Sequence, residues 1–400
     1  MLTGNATEFK RTAARPTRER GRRPTIYILT EFDPLIFFTV IILVLFGIAM
    51  IYSASYYKAY TETSGSAAGA NTFIYMRQQS VAALLGLAGM IAAASIDYHK
   101  TVNRLTSAAA YIAACATLVW ARLGFQPVNG AYRWVTIPII NVSFQPSELA
   151  KVAVTMCMAL YISRDTSRPH TVRGIIGCAL ITAIPAGLVF WGKSFSMTLM
   201  VCIIAFAIYL VSSAYFWRAL ALAGGAAGAA AAVMASGSDF RAGRISIWLN
   251  PFSDPQGLGY QTIQSLYSVA SGGLFGLGIG QSNQKLLFMP EPHNDFIFSV
   301  ICEELGFFGA AVVLLLFGIL IWRGAVAAFR APDLFGTLLA TGAVIMVGAQ
   351  VVINVAVVTN TIPNTGVPLP FISYGGTSIV FAMILMGILL NVSRQSRKRE

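Results

Sequence analysis

PLIFFTVIILVLFGIAMIYSA, residues 34–54, runs for 21 residues without a charge. As a helix it extends about 31 Å, enough to cross a hydrocarbon core of roughly 30 Å. It is too long for a signal-peptide core and no convincing cleavage site follows, so it reads as a retained anchor. Further apolar runs follow at about 80–96, 103–123, 147–163, 173–191, 196–213, 217–235, 296–322, 335–358 and 376–392. The chain has 400 residues, 56% hydrophobic and only 11% charged, against roughly 25% charged in a soluble domain. A soluble enzyme is excluded. The expected fold is an all-α polytopic membrane protein of about ten transmembrane helices, its membrane domain spanning residues 33–392. Residues 1–32 read as a disordered basic cytoplasmic tail, 393–400 as a second basic tail, and 236–295 as a large extracytoplasmic loop between helices 7 and 8.

The net charge of +12 could suggest nucleic acid, but the basic residues lie in short blocks between apolar runs, which is membrane topology. Counting Lys and Arg in alternate connections gives nineteen on the side of the N-terminus and eight on the other, with Lys151 inside a helix. Both termini are therefore expected in the cytoplasm of a multi-pass cytoplasmic-membrane protein. The five cysteines fall in apolar runs without paired spacing and read as core residues. Gly224, Gly225 and Gly228 in the seventh run read as a helix-packing surface.

The outside connections carry the candidate chemistry. Residues 55–79 are small and polar and read as a mobile loop. NGAYRW (129–134) and QPSELAK (145–151) border the fourth helix; NPFSDPQGLGYQ (250–261), a Gly-rich stretch at 271–280 and PEPHNDFIF (290–298) lie in or end the long loop. Asp295 stands where that loop meets the eighth helix. Either it or Asn294 caps the helix, or the carboxylate works as a general base or holds a divalent cation, Mg2+ or Mn2+. Glu303 and Glu304 lie about 12–13 Å deeper on a continuous helix and need a partner; an ion pair with Lys151, three residues after Glu148, would tie the fourth helix to the eighth. Arg133, Arg241 and Arg244 suit a pyrophosphate or a lipid headgroup. The last connection, 362–378, contains three prolines and three glycines. It cannot form a lipid-facing helix and must fold back against protein, as the wall of a lipid groove would.

GIAMIYSAS (47–55), the four motifs above, EELG (303–306) and LPFISYGGTS (369–378) occur together in an order that resembles the SEDS family of bacterial cell-wall polymerases, which includes FtsW, RodA and SpoVE. The resemblance covers about Asp33 to Asn391. It implies the ten-helix SEDS fold and a peptidoglycan glycosyltransferase that joins the disaccharide of lipid II to a glycan strand with inversion and releases undecaprenyl pyrophosphate. It implies Asp295 as the essential aspartate. The expected substrate-binding set is Arg133, Glu148, Lys151, Arg241, Arg244, His293 and Ser373. The implied partners are lipid II, a class B penicillin-binding transpeptidase, by analogy at the eighth and ninth helices, other division or elongation proteins and membrane lipids, with no nucleic acid and no organic cofactor. KSFSMT (193–198) departs from the family pattern, as does Asn294, where relatives usually carry Thr. A lipid II flippase, which would need functional charge near mid-membrane, and a noncatalytic scaffold are the competing readings.

Overall fold

The computed structural model describes residues 32–64, 70–125, 132, 134–137, 142–213, 239–285 and 289–397. Nine of the ten expected spans fall on described helices; the seventh, 217–235, with its glycine cluster, lies outside the described residues, as do residues 1–31. In chain order the helices are α1 (Pro34–Thr63), α2 (Ile74–Ser95), the one-turn α3 (Tyr98–Thr101), α4 (Arg104–Gly124), α5 (Pro146–Ser163), α6 (Val172–Trp191), α7 (Phe195–Ser212), α8 (Asp239–Leu249), α9 (Tyr260–Ser271), α10 (Ile297–Phe329), α11 (Leu334–Val358) and α12 (Gly376–Arg397). A three-residue antiparallel hairpin, β1 (Val135–Ile137) with β2 (Val142–Phe144), precedes α5 and pairs Val135 with Phe144.

Among the described residues eight helices are long and apolar enough to cross a membrane. The exception among the expected spans, α5, carries Glu148 and Lys151, which lower its hydropathy. The bundle is layered: α12 and α11 bury 67% and 61% of their apolar stretches, against 22% for α4 and 28% for α6 and α10. Leu45, Ile112, Val172, Leu315 and Val352, from five different helices, are exposed, an apolar surface that suits lipid. At the centre, α2 and α12 pack closely because Gly387 lies against the backbone of Met90, where a side chain would not fit.

Capping fixes the helix ends. Asp33 accepts hydrogen bonds from the Leu35 and Ile36 amides ahead of Pro34 at the first helical position, an arrangement worth about 1 kcal/mol. The same carboxylate accepts from Arg323 of α10, so the first helix is tied to the eighth expected span. At the same end of the bundle Asn391 donates to the carbonyls of Ala94 and Ile96 at 2.7 and 2.6 Å and accepts from the Tyr98 amide.

Three boundaries differ from the sequence reading. The stretch 55–79 is helical through Thr63 and again from Ile74, because α1 continues for about two turns beyond the apolar run that ends at Ala54; only 65–69 lie outside the described residues. α12 runs through 393–397, since Asn391 and Arg394 anchor its last turns on the end of α2. The expected continuous eighth helix is broken at Gly306, whose φ of 67° and ψ of −167° are open only to glycine. The break admits residues 272–278 of the long segment. The Leu277 and Gly278 amides donate to Glu303 O and Glu304 O at 2.9 Å, and the Phe307 and Phe308 amides donate to Gly273 O and Leu274 O at 2.9 and 3.2 Å.

His99 sits between two carboxylates, Nδ1 at 2.9 Å from Asp97 and Nε2 at 2.7 Å from Asp333. Burial lowers its pKa, but the two carboxylates outweigh this and raise it above the ordinary value. Asp97, which burial would raise, is instead held at about 2 by hydrogen bonds from Gln395 and His99.

Two predictions follow from these contacts. Gly306→Ala places a Cβ in the Gly276 backbone and a side chain in a forbidden conformation, so the thermal midpoint of the purified protein should drop by an amount corresponding to at least about 1–3 kcal/mol; an unchanged midpoint would show that the break is not structural. The His99 contribution is complete below its unfolded value near 6.5 and is lost as pH rises through the higher folded value. Thermal unfolding of the wild type should therefore weaken on alkalinisation above pH 6.5 relative to His99→Gln; parallel pH profiles would refute the carboxylate clamp.

Candidate active site

The segment entering α10 is held from several sides. Pro290 and Pro292 restrict the backbone, and Glu291 between them takes a positive φ of 52°. Glu291 forms an ion pair with Lys58 on the extension of α1 and accepts from Asn294 Nδ2 at 2.7 Å. The ring of His293, 1% exposed, lies 4.8 Å from that of Tyr75 and 5.5 Å from that of Tyr374, and its carbonyl accepts from the Tyr374 amide at 2.9 Å. Burial drives the His293 pKa down to about 4, with Lys58 adding to the shift and Glu291 opposing it. His293 is therefore neutral at pH 7.

Asp295 is half-buried at the end of this segment. Neither it nor Asn294 is the helix cap, which corrects one sequence reading: the cap position belongs to Phe296, which has no capping side chain, and Asn294 is turned to Glu291. The position of Asp295 is fixed through its backbone. Asn354 of α11, 1% exposed, donates one amide hydrogen to Asp295 O and the other to Val367 O, both at 2.8 Å. One side chain thus joins the Asp295 turn to the Pro/Gly-rich connection.

That connection folds back into the protein as expected: Val367, Leu369, Phe371 and Ile372 are all buried. Gln79 of α2 holds it with both ends of its amide, donating to Ser373 O at 3.3 Å and accepting from the Gly375 amide at 3.1 Å. Ser373 is buried and its hydroxyl accepts from the Leu369 amide at 2.8 Å. Helices α8 and α9 of the long segment lie against the same connection. Arg244 donates to Asn364 O at 3.1 Å, Trp248 to Asn360 O at 3.0 Å and Ser265 to Val358 O at 3.0 Å. Gln261 accepts from Asn364 and donates to Pro290 O, returning to the Asp295 turn.

The expected site residues divide accordingly. Asp295, His293, Arg244 and Ser373 belong to this one assembly of connections. Glu148 and Lys151 sit in the first turns of α5, preceded by Gln145, whose amide donates to Thr377 at the start of α12. Their charges are 2.8 Å apart and 0% exposed. Arg133 and the side chain of Arg241 lie outside the described residues.

The expected pairing of Lys151 with Glu303 or Glu304 is not formed. Glu304 instead meets Lys285 at 3.1 Å and Ser53 at 2.6 Å, while Glu303 accepts from Ser282, Ser268 and the Asn283 amide. The physical reason is the break in α10, which brings the long segment, and with it Lys285, down to these carboxylates. Asn354, Gln79 and the Lys58–Glu291 pair were missed in the sequence. Polar residues inside apolar runs were the available signal for the two amides.

Among the described residues no three His, Cys, Asp or Glu side chains converge on a metal position. A single carboxylate such as Asp295 suits only an ion that takes its other ligands from water and phosphate oxygens, as Mg2+ does.

Comparison with known proteins places these features. The model of a family described as "Cell cycle protein", covering FtsW, RodA and SpoVE, matches residues 33–398. Stage V sporulation protein E of Bacillus subtilis (strain 168) is 37% identical over 92% of this chain and 98% of its own length. A probable peptidoglycan glycosyltransferase FtsW of Geobacter sp. (strain M18) is 34% identical with the same coverage. Among solved structures, a chain from work on structural coordination of polymerization and crosslinking by a peptidoglycan synthase complex superimposes with a TM-score of 0.73 at 27% identity, covering 91% of this chain and 98% of that one. The rod shape determining protein RodA of Thermus thermophilus gives 0.65 at 26% identity, covering 91% and 97%. The chain belongs to the FtsW/RodA/SpoVE family of cell cycle proteins, an assignment the matched span and these relatives establish together.

Proposed function

We propose that this protein is a peptidoglycan glycosyltransferase that polymerises lipid II into glycan strands at the outer face of the cytoplasmic membrane, with Asp295 as its catalytic carboxylate. The observation that carries the reading is the Asp295 turn itself: a half-buried carboxylate at the mouth of a membrane helix, its backbone pinned by Asn354, in a chain similar over most of its length to probable peptidoglycan glycosyltransferases.

The acceptor's sugar hydroxyl attacks the anomeric carbon of the donor as the bond from that carbon to the pyrophosphate oxygen breaks. A carboxylate at Asp295 takes the hydroxyl proton, and attack from the face opposite the leaving group inverts the α-linked donor to a β-linked product. Negative charge then grows on the departing pyrophosphate. Arg244, whose guanidinium is anchored on the Asn364 carbonyl, is proposed to stabilise that charge. In the alternative role of the same carboxylate, Asp295 would hold a divalent cation, Mg2+ or Mn2+, which would neutralise that charge. Arg133 and Arg241 are proposed in the same phosphate-binding role. His293, neutral and packed between two tyrosines, would hold the turn in place, and Ser373 would shape the adjoining wall.

The orientation follows from charge. Lys100, Arg104, Arg164, Arg168, Arg173, Arg323, Arg330 and Arg394 cluster at the end of the bundle opposite Asp295, which supports a cytoplasmic location for that end and for both termini. A transpeptidase of the penicillin-binding class is the proposed partner, in keeping with the peptidoglycan synthase complex named for the solved relative. The flippase reading has less support, because Glu148, Lys151, Glu303 and Glu304 are each engaged by a buried partner.

Two experiments test this reading. Asp295→Ala should reduce lipid II polymerisation, in complex with the partner and at matched folding, by about 10²-fold or more; equal strand formation would move the chemistry elsewhere. Asn354→Ala leaves the Asp295 and Val367 carbonyls without their buried donor, costing about 1–3 kcal/mol of stability. At matched folded protein, polymerisation should also fall, about tenfold, because positioning is lost. A stability loss with unchanged turnover would make Asn354 purely structural.

A further inference from the structure

The end of the bundle opposite Asp295 contains a cavity of about 430 Å³ where the turn from α3 to α4, the last turn of α5 and the first turn of α11 meet. Its rim carries Arg104 and Arg164, both exposed and, among the described residues, without a carboxylate partner. The nearest acid in sequence to Arg164, Asp165, is engaged by Ser167 and Arg168.

The one acid lining the cavity, Asp333, is engaged by other partners. Asp333 accepts from the Gly336 amide at 2.6 Å and from Tyr98 Oη at 3.1 Å, and it faces His99 Nε2 at 2.7 Å. Asp97 and Asp333 raise the His99 pKa, and both carboxylates are turned to partners other than the two guanidinium groups. The cavity therefore presents cationic, bidentate donors at its mouth. Besides Asn103 and Ser163, its remaining wall is apolar, formed by Val102, Leu160, Leu334 and Phe335, and Leu105, one residue along α4 from Arg104, is 79% exposed.

We propose that this cavity binds a phosphate-bearing ligand, its phosphate on Arg104 and Arg164, and that the ligand is the headgroup of an anionic glycerophospholipid whose glycerol and upper acyl chain lie along the apolar wall. Basic pockets between membrane helices on the cytoplasmic side recognise anionic headgroups in this way. The inference concerns a surface remote from Asp295 and stands whether or not the polymerase reading holds.

The test uses the full chain purified in detergent and examined by native mass spectrometry with dioleoyl-phosphatidylglycerol, dioleoyl-phosphatidylcholine or inorganic phosphate. Wild type should retain phosphatidylglycerol over phosphatidylcholine by about tenfold, R104Q/R164Q should lose that preference, and R104K/R164K should keep part of it. If inorganic phosphate raises the thermal midpoint of wild type but not of R104Q/R164Q while no lipid preference exists, the phosphate site stands and its lipid source is refuted. Equal lipid retention and equal phosphate response in wild type and R104Q/R164Q, both folded by thermal unfolding, would overturn the proposal.

Discussion

A membrane interior supplies no water to the backbone, so every amide and carbonyl exposed by a broken helix must find a partner within the protein. The break in α10 at Gly306 meets that demand with four hydrogen bonds to residues 273–278, and much of the outer half of the molecule depends on them. They fix the Gly-rich stretch in depth. That in turn brings Ser282 to Glu303 and Lys285 to Glu304, and ties the second pair to Ser53 of α1. With its far end anchored, the long segment lays α9 along α11 and reaches the Asp295 turn through Gln261. The position of Asp295 is thus governed by a backbone discontinuity well inside the same helix.

The buried charges follow a related logic. Burying an ion pair costs desolvation that its Coulomb energy scarcely returns, so such pairs add little net stability, whereas removing one partner costs about 3–5 kcal/mol. Glu148 with Lys151 and Glu304 with Lys285 are therefore best understood as constraints on assembly. The Lys285–Glu304 pair joins the long segment to α10, and an arrangement that separated them would leave a buried charge uncompensated. The α5 pair is the extreme case, both side chains having no exposure, and the packing of α5 between α4, α7 and α11 must form around it.

Hydropathy made the spans legible because a helix that crosses lipid must be long and apolar whatever its neighbours. The motif-rich connections were legible as well, since prolines and glycines in the stretch before α12 leave the backbone no regular lipid-facing form. What escaped the sequence was the folding of one element into another. Gly306 in an apolar run looks like a packing glycine, and nothing local reveals that its φ is positive. Lys285 lies in a polar connection whose composition suits water, yet it is 7% exposed because the break draws its segment inward. Asn294 has the composition of a cap, but the Lys58–Glu291 pair competes for its amide. Asn354 was visible as a polar residue in a span; that its two hydrogens join two distant connections was not.

The surface at the α10 break is unusual in being apolar on an irregular backbone. Leu274, Phe275, Leu277 and Ile279 are exposed on the stretch that fills the helix break, and Phe307 and Phe308 are exposed next to them on α10. In water such a patch would be an association hazard. At the edge of a bilayer it is a place where lipid chains can lie against the segment that leads to Asp295. Two lipid-linked substrates arriving there would keep their chains in the membrane and their sugars in the aqueous layer occupied by α8, α9 and the Pro/Gly-rich connection. The fold then needs no deep pocket to concentrate them: confinement to the membrane plane does much of the bringing together.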